Sequence, residues 1–561
     1  MTSVSEKSIC VEFKMRYLFF VIFVVIFFGC SVSESFTDSD VLQQNDQNQE
    51  VQDEKTTDDS GNENKDGSAV TDDSQDDSVV DNEVSDSFSD TEKNDDVFVP
   101  DNETQDIDTT DSETTDADNA ICDVESPDPV NEDPLPIVAD YGIRESVQSG
   151  SFTDHFLYSN AAKQFKIGVR EQWGSSIVFL GFTNNSNSNV IDANDTGREV
   201  QIAIYDPDRI TQNCAWNATC ATTASDCAGG ITYLGWNPVQ GGNRCNNGSP
   251  TELISGSDGE MISSVVPYQW NPAWERQDCE SDICGDSIYN KKLSDMRYIQ
   301  KLRWVDPNIV EVKMTIHNLT DIERSPTLQE FPTLYVPYGE HGLQNYNVLL
   351  DSNGTQIAID VPANDGFFMK NFESPGGWTT LQNSAKNYGV GIYYENRLTE
   401  FQGWQKDGIF NNVRSRIVFG LPANGTVNAR AYLILGSFAT VKSLAEGLDA
   451  KIPPFGYLDA PNNDDEVTGD TLNIGGWVLD NKGVSKVEVF IDGVSKGEIA
   501  LDTAREDVCK VWPGYSMCPT AGYSGSVNIS DLSVCAHLVE IKATDTDSNV
   551  RIIAKKRVFR K

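Results

Sequence analysis

The feature that most restricts the fold of this chain is a run of about 310 residues in which strand-like segments alternate with turns. Segments such as REVQIAIY from Arg198 and IVEVKMTIHN from Ile309 carry apolar residues at every second position, which is typical of half-buried strands. The strand-like segment from Tyr298 and the one from Ile309 flank a short turn, which predicts a hairpin. Helical periodicity is clear only from Val441 to Ala450. The pattern predicts an all-β fold with antiparallel sheets.

The length of this run exceeds that of an ordinary sandwich, so residues 136–451 are predicted to form one very large antiparallel sandwich, or two fused sandwiches. A shorter set of alternating strands follows, including Leu472–Leu479, Val484–Ile491 and Leu538–Thr544. Residues 452–561 are therefore predicted to form a small Greek-key β-sandwich.

The segment that precedes the strands is strongly acidic. Between Ser31 and Asp140 there are 36 Asp and Glu residues against three Lys, which accounts for −33 of the net charge of −45. The segment has almost no aromatic residues and cannot bury enough apolar surface to order itself, so residues 30–135 are predicted to be a disordered acidic tether. A calcium repeat would need carboxylates in a fixed register, which is missing here. The acidity also argues against nucleic acid as a partner.

The N-terminus has the form of a secretory signal. Tyr17–Phe28 is an unbroken apolar run of 12 residues behind Arg16, and it ends at Gly29 and Cys30. A secretory core needs about 7 to 15 apolar residues, whereas a membrane-spanning helix needs roughly 20. Residues 1–29 are therefore predicted to be a cleaved signal peptide, whose true start could be Met15.

Cysteine usage indicates an oxidising compartment. Six cysteines are crowded into one stretch of about seventy residues: Cys214, Cys220, Cys227, Cys245, Cys279 and Cys284. Their irregular gaps and the absence of histidines among them favour disulfides over zinc, so no metal site is predicted. Cys509 is expected to pair with Cys518 across a loop, while Cys122 and Cys535 are unassigned.

The end of the signal resembles the lipobox of bacterial lipoproteins, in which the cysteine after a small residue is acylated. This resemblance implies lipidation of Cys30 and an outer-membrane or cell-surface location. Phe27 and Phe28 depart from the usual motif, so a general secretory signal with a free Cys30 is the alternative. Membrane contact is expected through the lipid anchor only, and the protein is expected to be a monomer.

Two further resemblances concern the strands. NVIDANDTGREVQ (189–201), GWNPVQGGN (235–243), LQEFPTLYV (328–336) and GGWTTLQNSAKNYGVGIYY (376–394) resemble secreted bacterial proteins of the galactose-mutarotase-like supersandwich type. That fold recurs in glycoside hydrolases, polysaccharide lyases and sugar epimerases. PPFGYLDAPNNDDEVTGDTLNIGGWVLDNKGVSKVEVFIDG, which begins at Pro453, resembles bacterial immunoglobulin-like modules, which are spacers or binders.

Catalytic chemistry is weakly indicated. The histidine motifs of mutarotases are not recognisable, which rejects ordinary aldose mutarotation. A glycoside hydrolase needs two carboxyls about 5 to 10 Å apart, and a lyase can use a Tyr with Arg, Asn or His. The weak catalytic candidates are Glu330, Glu340 and His341, with Glu275, Glu373 and Glu395 as further carboxylates.

Aromatic residues in polar, glycine-bearing segments favour a sugar-binding protein slightly. They are Trp236, Tyr268, Trp270, Trp274, Tyr335, Tyr338, Tyr346, Trp378 and Trp404. Large sandwiches also need such rings in their cores, which is the competing interpretation. The predicted ligand-binding residues are Arg198, Trp236, Gln240, Trp274 and Tyr335. The resulting hypothesis is an envelope lipoprotein that engages a polysaccharide without a cofactor. The alternatives are a polysaccharide-degrading enzyme and a structural or adhesive surface protein.

Strand alternation from Leu328 makes one detailed prediction. If the segment is a regular strand, Gln329, Phe331, Thr333 and Tyr335 share one face, and Glu330 lies with Leu334 and Val336 on the other. A carboxylate among apolar residues needs a partner, for which Arg198 is the best candidate in the sequence. A structural tie between Arg198 and Glu330 is favoured over a role at the border of the sugar site.

Overall fold

The computed structural model describes residues 124–137, 144–194, 199–211, 232–236, 248–257, 259–268, 293–339, 345–363 and 366–561, with backbone only for 206–211 and 232–236. The described part is almost entirely β-structure, built as two large sheets followed by two small ones. None of its helices is long and apolar enough to cross a membrane.

The large sheets use 21 of the described strands. In chain order they are β1 (Arg144–Ser149), β2 (Phe152–Tyr158), β3 (Phe165–Arg170), β4 (Ile177–Phe182), β5 (Val200–Thr211), β6 (Thr232–Trp236), β7 (Thr251–Ser257), β8 (Glu260–Val265), β9 (Met296–Asp306), β10 (Ile309–Asn318), β11 (Arg324–Pro337), β12 (Val348–Leu350), β13 (Gln356–Ile357), β14 (Val361–Pro362), β15 (Phe367–Glu373), β16 (Trp378–Gln382), β17 (Gly389–Tyr394), β18 (Glu400–Lys406), β19 (Phe410–Ser415), β20 (Ile417–Leu421) and β21 (Thr426–Gly436).

These strands form a 12-stranded and a 9-stranded antiparallel sheet within the described residues. The 12-stranded sheet runs β1-β2-β3-β4-β5-β11-β19-β18-β15-β14, with β6 added to β5 and β20 added to β11. The 9-stranded sheet runs β13-β12-β16-β17-β21-β10-β9-β8-β7. The strands β9 and β10 pair as the hairpin that the sequence predicts.

One hydrophobic core lies between the two large sheets. It contains alternate residues from both, such as Leu157 and Ile204 of the 12-stranded sheet and Leu302 and Val312 of the 9-stranded sheet, all at most 1% exposed. Period-two alternation explains this arrangement, because each strand gives every second side chain to the core. The predicted antiparallel β-supersandwich is confirmed.

The helix α1 (Phe438–Lys451) follows β21 and includes the predicted helical stretch. The Ser437 side chain caps its N-terminus by accepting a hydrogen bond from the Thr440 amide. Its buried residues Val441 and Ala445 pack on the side of the 9-stranded sheet that is turned away from the main core. A Cβ at Gly391 would lie 2.3 Å from Val441 Cγ1, so only glycine permits this approach.

The C-terminal sandwich has a 4-stranded sheet, β22-β24-β28-β27, and a 5-stranded sheet, β23-β30-β29-β25-β26. Its elements are β22 (Phe455–Ala460), β23 (Asp465–Val467), β24 (Thr471–Leu479), β25 (Val484–Ile491), β26 (Val494–Ile499), β27 (Leu501–Thr503), α2 (Glu506–Val511), β28 (Gly522–Asn528), β29 (Ala536–Asp545) and β30 (Val550–Arg560). A separate core fills the space between these sheets. The predicted small sandwich is confirmed, whereas the short helix α2 was not predicted.

The predicted disulfide between Cys509 and Cys518 is present, with Cα atoms 5.8 Å apart. It ties the end of α2 to the loop that leads into β28. Cys535 is also disulfide-bonded. The six cysteines from Cys214 to Cys284 and Cys122 lie outside the described residues.

The two sandwiches are joined by a buried polar contact on the side of the 9-stranded sheet that is turned away from the core. Arg430 of β21 is 2% exposed, and its guanidinium lies 4.9 Å from the ring centre of Phe455 and 5.2 Å from that of Trp512. Its charge is paired with Glu395. The Tyr515 hydroxyl of the C-terminal sandwich donates to the same carboxylate at 2.9 Å. The sandwiches therefore share one buried network.

Residues 124–135, which we call the strap, differ from the prediction that the disordered tether reaches 135. Arg557 donates to the Val124 carbonyl at 2.9 Å on the C-terminal sandwich. Asp133 is 6% exposed and accepts a hydrogen bond from Lys301 at 2.8 Å, with Arg303 at 3.5 Å. The strap therefore contacts both sandwiches. Composition alone could not predict this order, because it depends on two cations of the large sandwich that pair with the one buried carboxylate of the strap.

Candidate functional site

The side of the 12-stranded sheet that is turned away from the core carries polar residues. On its central strands, Leu334, Val413 and Phe401 point into the core. The alternate positions therefore face the other way. A sheet with one packed face commonly carries polar side chains on its second face. This second face is the candidate functional site.

Five side chains on this face form a line across five neighbouring strands, which we call the polar row. Pairing places Gln201 opposite Thr333, Thr333 opposite Arg414, Arg414 opposite Gln402, and Gln402 opposite Asn371. Four of the five are buried, and Asn371 at one end is half-buried. Directly opposite residues on antiparallel strands lie about 5 Å apart, so the row is continuous.

Gln402 connects its neighbours in the polar row by hydrogen bonds. Its Oε1 accepts hydrogen bonds from Trp404 Nε1 at 2.6 Å and from Arg414 Nε and Nη2 at 3.1 and 3.0 Å. Its Nε2 donates to Asn371 Oδ1 at 2.9 Å. Asn371, Gln402 and Arg414 thus hold one another in one orientation, so this part of the row has fixed donors and acceptors.

Glu330 enters this network from β11 and corrects the predicted grouping of faces. Its carboxylate pairs with Arg414 and accepts from the Tyr205 hydroxyl at 2.9 Å. The pairing of β11 with β5 shifts register between Glu330 and Thr333, so Glu330 shares a face with Thr333 and not with Leu334. The predicted grouping assumed a regular strand. It is wrong because an irregularity in a strand exchanges the two faces for the residues beyond it.

The predicted partner of Glu330, Arg198, lies outside the described residues, and Arg414 supplies the ion pair that the prediction required. Burial raises the pKa of the Tyr205 hydroxyl well above its ordinary value, and the neighbouring Glu330 carboxylate raises it further. The phenol is therefore protonated at neutral pH and acts as a hydrogen-bond donor. A tyrosinate base at this position is disfavoured.

The remaining predicted residues divide into two groups. Tyr335 is half-buried on the same face as the polar row, opposite Asn412, with its ring 5.1 Å from that of Phe410. The backbone of Trp236 pairs with Ile204 of β5, and its side chain lies outside the described residues. Residues that lie wholly outside the described residues are Arg198, Gln240, Trp274, Glu340 and His341. Their predicted roles stay predictions.

Sequence reasoning missed Arg414, Gln402 and Asn412 as members of this face. A signal was present, because Gln402 and Trp404 alternate with core residues along β18, and Asn412 and Arg414 alternate in the same way along β19. Polar side chains at every second position of a strand mark the face turned away from the core. Among the other aromatic candidates, Tyr346 and Trp378 are at most 2% exposed and belong to hydrophobic cores.

Glu395, considered as a catalytic carboxylate, lies in the contact between the sandwiches. It is fully buried and pairs with Arg430, while Tyr432 and Tyr515 donate to it at 2.6 and 2.9 Å. Every oxygen is thus committed to a structural partner. Glu373 is exposed at the end of β15, and Glu275 lies outside the described residues. Within the described residues, His, Cys, Asp and Glu form no group of three or more able to hold a metal ion.

Comparison with known proteins identifies the C-terminal sandwich. Residues 454–509 match the family model described as a bacterial Ig domain. This agrees with the resemblance inferred from the sequence of the C-terminal strands. No curated protein matches the chain.

Several solved structures are similar to the chain at low identity. A polysaccharide lyase is 8% identical over 74% of this chain and 47% of its own, with a TM-score of 0.28. An assigned aldose 1-epimerase from Klebsiella pneumoniae subsp. pneumoniae MGH 78578 is 11% identical over 55% of this chain and 86% of its own, with a TM-score of 0.30. An assigned mutarotase (YeaD) from Salmonella typhimurium is 10% identical over 54% and 97%, with a TM-score of 0.28. The chain spans about half the length of the lyase.

Proposed function

We propose that this chain is an envelope-anchored lipoprotein that engages a polysaccharide through the polar row of its large sandwich. The observation that carries the proposal is the continuous line of amide, hydroxyl and guanidinium groups from Gln201 to Asn371. Sugar hydroxyls are recognised by fixed groups of this kind, which donate and accept hydrogen bonds in a set geometry. Acylation of Cys30 supplies the anchor.

Within the row, residues are proposed to divide into supporting and contacting groups. Glu330 and Arg414 are buried and act as the support, because their ion pair fixes the orientation of Gln402. Asn371 of the row and Tyr335 on the same face are half-buried and are the residues that a sugar can reach. The ring of Tyr335 offers an apolar face beside polar neighbours, an arrangement suited to a pyranose.

A polysaccharide-degrading enzyme is the second candidate. It is favoured by the close association of Tyr205, Glu330 and Arg414, since lyase chemistry can use a tyrosine beside a cation. The raised pKa of Tyr205 argues against it as a base and leaves only a proton-donor role. A structural or adhesive role is the third candidate and predicts no glycan affinity.

The first experiment separates these candidates with the full chain. The protein is incubated with plant, algal and bacterial polysaccharides, and new reducing ends and the ultraviolet absorbance of unsaturated sugars are followed. Affinity electrophoresis in gels that contain each polysaccharide measures binding. Retardation without products is expected. Products would replace the binding proposal with the enzyme, and neither signal across the panel would refute both.

Variants then locate the site. Asn371→Ala and Tyr335→Ala should weaken binding about tenfold each while melting near the parent temperature, because both side chains are half-buried. Leu253→Ser is the control, since Leu253 is 50% exposed on the other large sheet. If Asn371→Ala and Tyr335→Ala both bind like the parent while Leu253→Ser binds more weakly, the site lies elsewhere.

Glu330→Gln tests the supporting role. It removes the Glu330 charge from its buried ion pair with Arg414, so the free energy of unfolding should fall by about 3 kcal/mol in urea titrations. Binding by the folded fraction should persist. The control Glu252→Gln removes a pair with Arg297 whose side chains are 41% and 39% exposed, which should cost less than about 1 kcal/mol. A variant that melts like the parent but loses binding would make Glu330 a contacting residue.

A further inference from the structure

A groove of about 740 Å³ lies where the strap, β21 and the C-terminal sandwich meet, away from the polar row. Its lining includes Glu132 of the strap, Asn428 of β21, and Tyr457, Trp477 and Lys556 of the C-terminal sandwich. Ligand sites in proteins typically enclose about 300 to 1,000 Å³, so this groove could hold a short oligosaccharide. Three separate parts of the chain build its walls.

The groove presents one aromatic face together with one ammonium group. Tyr457 is 49% exposed, which is high for so large a ring in a described strand. Lys556 Nζ lies 5.0 Å from the Tyr457 ring centre and 3.4 Å from its hydroxyl. Behind them, Trp477 packs edge-on against Phe455, with ring centres 5.9 Å apart. The wall that carries the exposed ring is therefore firmly supported.

Lys556 differs from the neighbouring charged residues because it has no acidic partner among the described residues. Its neighbour Lys555 pairs with Glu540 at 2.9 Å, and Glu132 of the strap pairs with Lys313 at 2.9 Å. Among the described residues, no carboxylate lies within 4 Å of Lys556 Nζ. The groove thus keeps one ammonium without an acidic partner in a chain whose net charge is −45. A cation in this position is available to an anionic ligand.

We infer that the groove is a second binding site, which takes a saccharide that carries a carboxylate, such as a uronic acid unit. The carboxylate pairs with Lys556 by a charge-assisted hydrogen bond. The apolar face of the sugar ring covers the Tyr457 ring, where the CH groups replace water. This site is independent of the polar row, because Lys556 and Tyr457 belong to the C-terminal sandwich and not to the 12-stranded sheet.

The test uses the full chain with two probes: oligogalacturonate and its carboxyl-reduced counterpart, measured by isothermal titration calorimetry at low and moderate salt. The acidic oligomer should bind, and the neutral oligomer should bind at least tenfold more weakly. Lys556→Gln and Tyr457→Ala should each reduce affinity for the acidic oligomer about tenfold or more. Higher salt should weaken the parent, because an ion pair is screened.

The matched control is Lys542→Gln. Lys542 Nζ lies 3.6 Å from the centre of the Phe490 ring in the same sandwich, so it is also a lysine beside an aromatic ring, but it is not part of the groove. It should bind like the parent. Equal affinity for both oligomers, or unchanged affinity in Lys556→Gln, would overturn the inference.

Two outcomes separate this inference from the proposed function. If Asn371→Ala abolishes binding of the acidic oligomer while Lys556→Gln retains it, the sugar occupies the polar row and the groove inference fails alone. If a synthetic peptide of residues 101–120, which is strongly acidic, displaces the oligomer from the groove at equal concentration, the groove recognises peptide and the saccharide assignment is wrong.

Discussion

The carboxyl group of Asp480 is buried near other carboxylates and near the contact between the two sandwiches. The residue is 1% exposed, and its Oδ1 accepts from the amides of Lys482 and Gly483, each at 2.8 Å. Within the described residues, Oδ2 has no hydrogen-bond partner. Burial raises the pKa of Asp480 to about 7, against the lowering effect of the two amides, and the charges of Asp545 and Glu395 raise it further. The folded protein therefore favours the protonated acid below about pH 7.

The sign of the pH dependence follows from this raised pKa. The stability that protonation of Asp480 contributes is fully present below the ordinary carboxyl pKa near 4, and it is lost as pH rises through about 7. Asp480→Asn keeps the Oδ1 acceptor and cannot ionise, so at pH 8 it should melt several degrees above the parent. At pH 4 the two should melt alike. Thermal unfolding followed by circular dichroism at pH 4, 6 and 8 measures the difference.

An exposed acid serves as the control for Asp480. Asp531 is 67% exposed, and the hydrogen bond from Lys496 lowers its pKa. Asp531→Asn should therefore shift the melting temperature slightly downwards at pH 8, opposite in sign to Asp480→Asn. If the Asp480→Asn difference does not change between pH 4 and 8, Asp480 does not carry the buried proton.

Single residues also show where the sequence was insufficient. Glu330 is buried and paired with a cation as expected, although the apolar neighbours from which this was inferred, Leu334 and Val336, lie on the other face. The identity of the cation was not predictable, because Arg414 lies 84 positions away and reaches Glu330 only after β11 pairs with β19. A local irregularity between Glu330 and Thr333 then reversed the predicted faces. Local pattern fixes periodicity, whereas pairing between distant strands decides which side chains meet.

At the scale of elements, the strap is a short segment that behaves as part of the globular fold. Its Asp133 accepts from Lys301 and lies beside Arg303, while the Asp133 carbonyl accepts from Arg551 at 2.8 Å. Burial acts to raise the pKa of Asp133, but the hydrogen bond from Lys301 and the charge of Arg303 outweigh it, so the pKa lies below its ordinary value. The ionised form therefore holds the strap in place.

Asp133→Asn should lower the free energy of unfolding by about 2 to 3 kcal/mol at pH 7, because it leaves two cations with one fewer carboxylate. A depressed pKa contributes stability above the ordinary pKa near 4 and loses it as pH falls through the lower folded value. The difference from the parent should therefore shrink below pH 4. Urea unfolding at pH 7 and pH 3 measures it.

The adjacent residue gives the control for the strap. Glu132 pairs with Lys313, but its side chain is 74% exposed, so Glu132→Gln should change stability by less than about 1 kcal/mol. Equal effects of the two substitutions would show that the strap contributes no specific contact. Increased amide hydrogen exchange of residues 124–135 in Asp133→Asn alone would confirm that the carboxylate docks the segment.

Elements with strong local signals were predictable. The hairpin of β9 and β10, the helix α1 and the Cys509–Cys518 staple all follow from short-range spacing. The helix α2 has only six residues, too few for a periodic signal. The strap lacks any signal, since its acidic composition matches the tether before it. Its order depends on Lys301 and Arg303, which lie more than 160 positions away.

At the scale of the whole molecule, the two sandwiches act as one unit. Buried Arg430 lies between aromatic rings of the C-terminal sandwich, and Asn481 donates to the Tyr393 hydroxyl at 2.9 Å across the same contact. Separating the sandwiches would leave these groups exposed or unpaired, which is costly. The two sandwiches are therefore expected to keep a fixed relation to each other.

The proposed lipid anchor at Cys30 can be tested separately from the fold. Within the described residues, the strap contacts both sandwiches through Val124 and Asp133, so we expect the fold to be independent of the chemistry of Cys30. Cys30→Ser should move the protein from the membrane fraction to the soluble fraction and abolish labelling by a fatty-acid probe. Melting temperature and polysaccharide retardation should stay at parent values. Cys10→Ser is the control, because Cys10 precedes the apolar run of the signal and should leave the protein lipidated. A parent that takes up no lipid label, or a Cys30→Ser variant that stays in the membrane fraction, would refute the anchor.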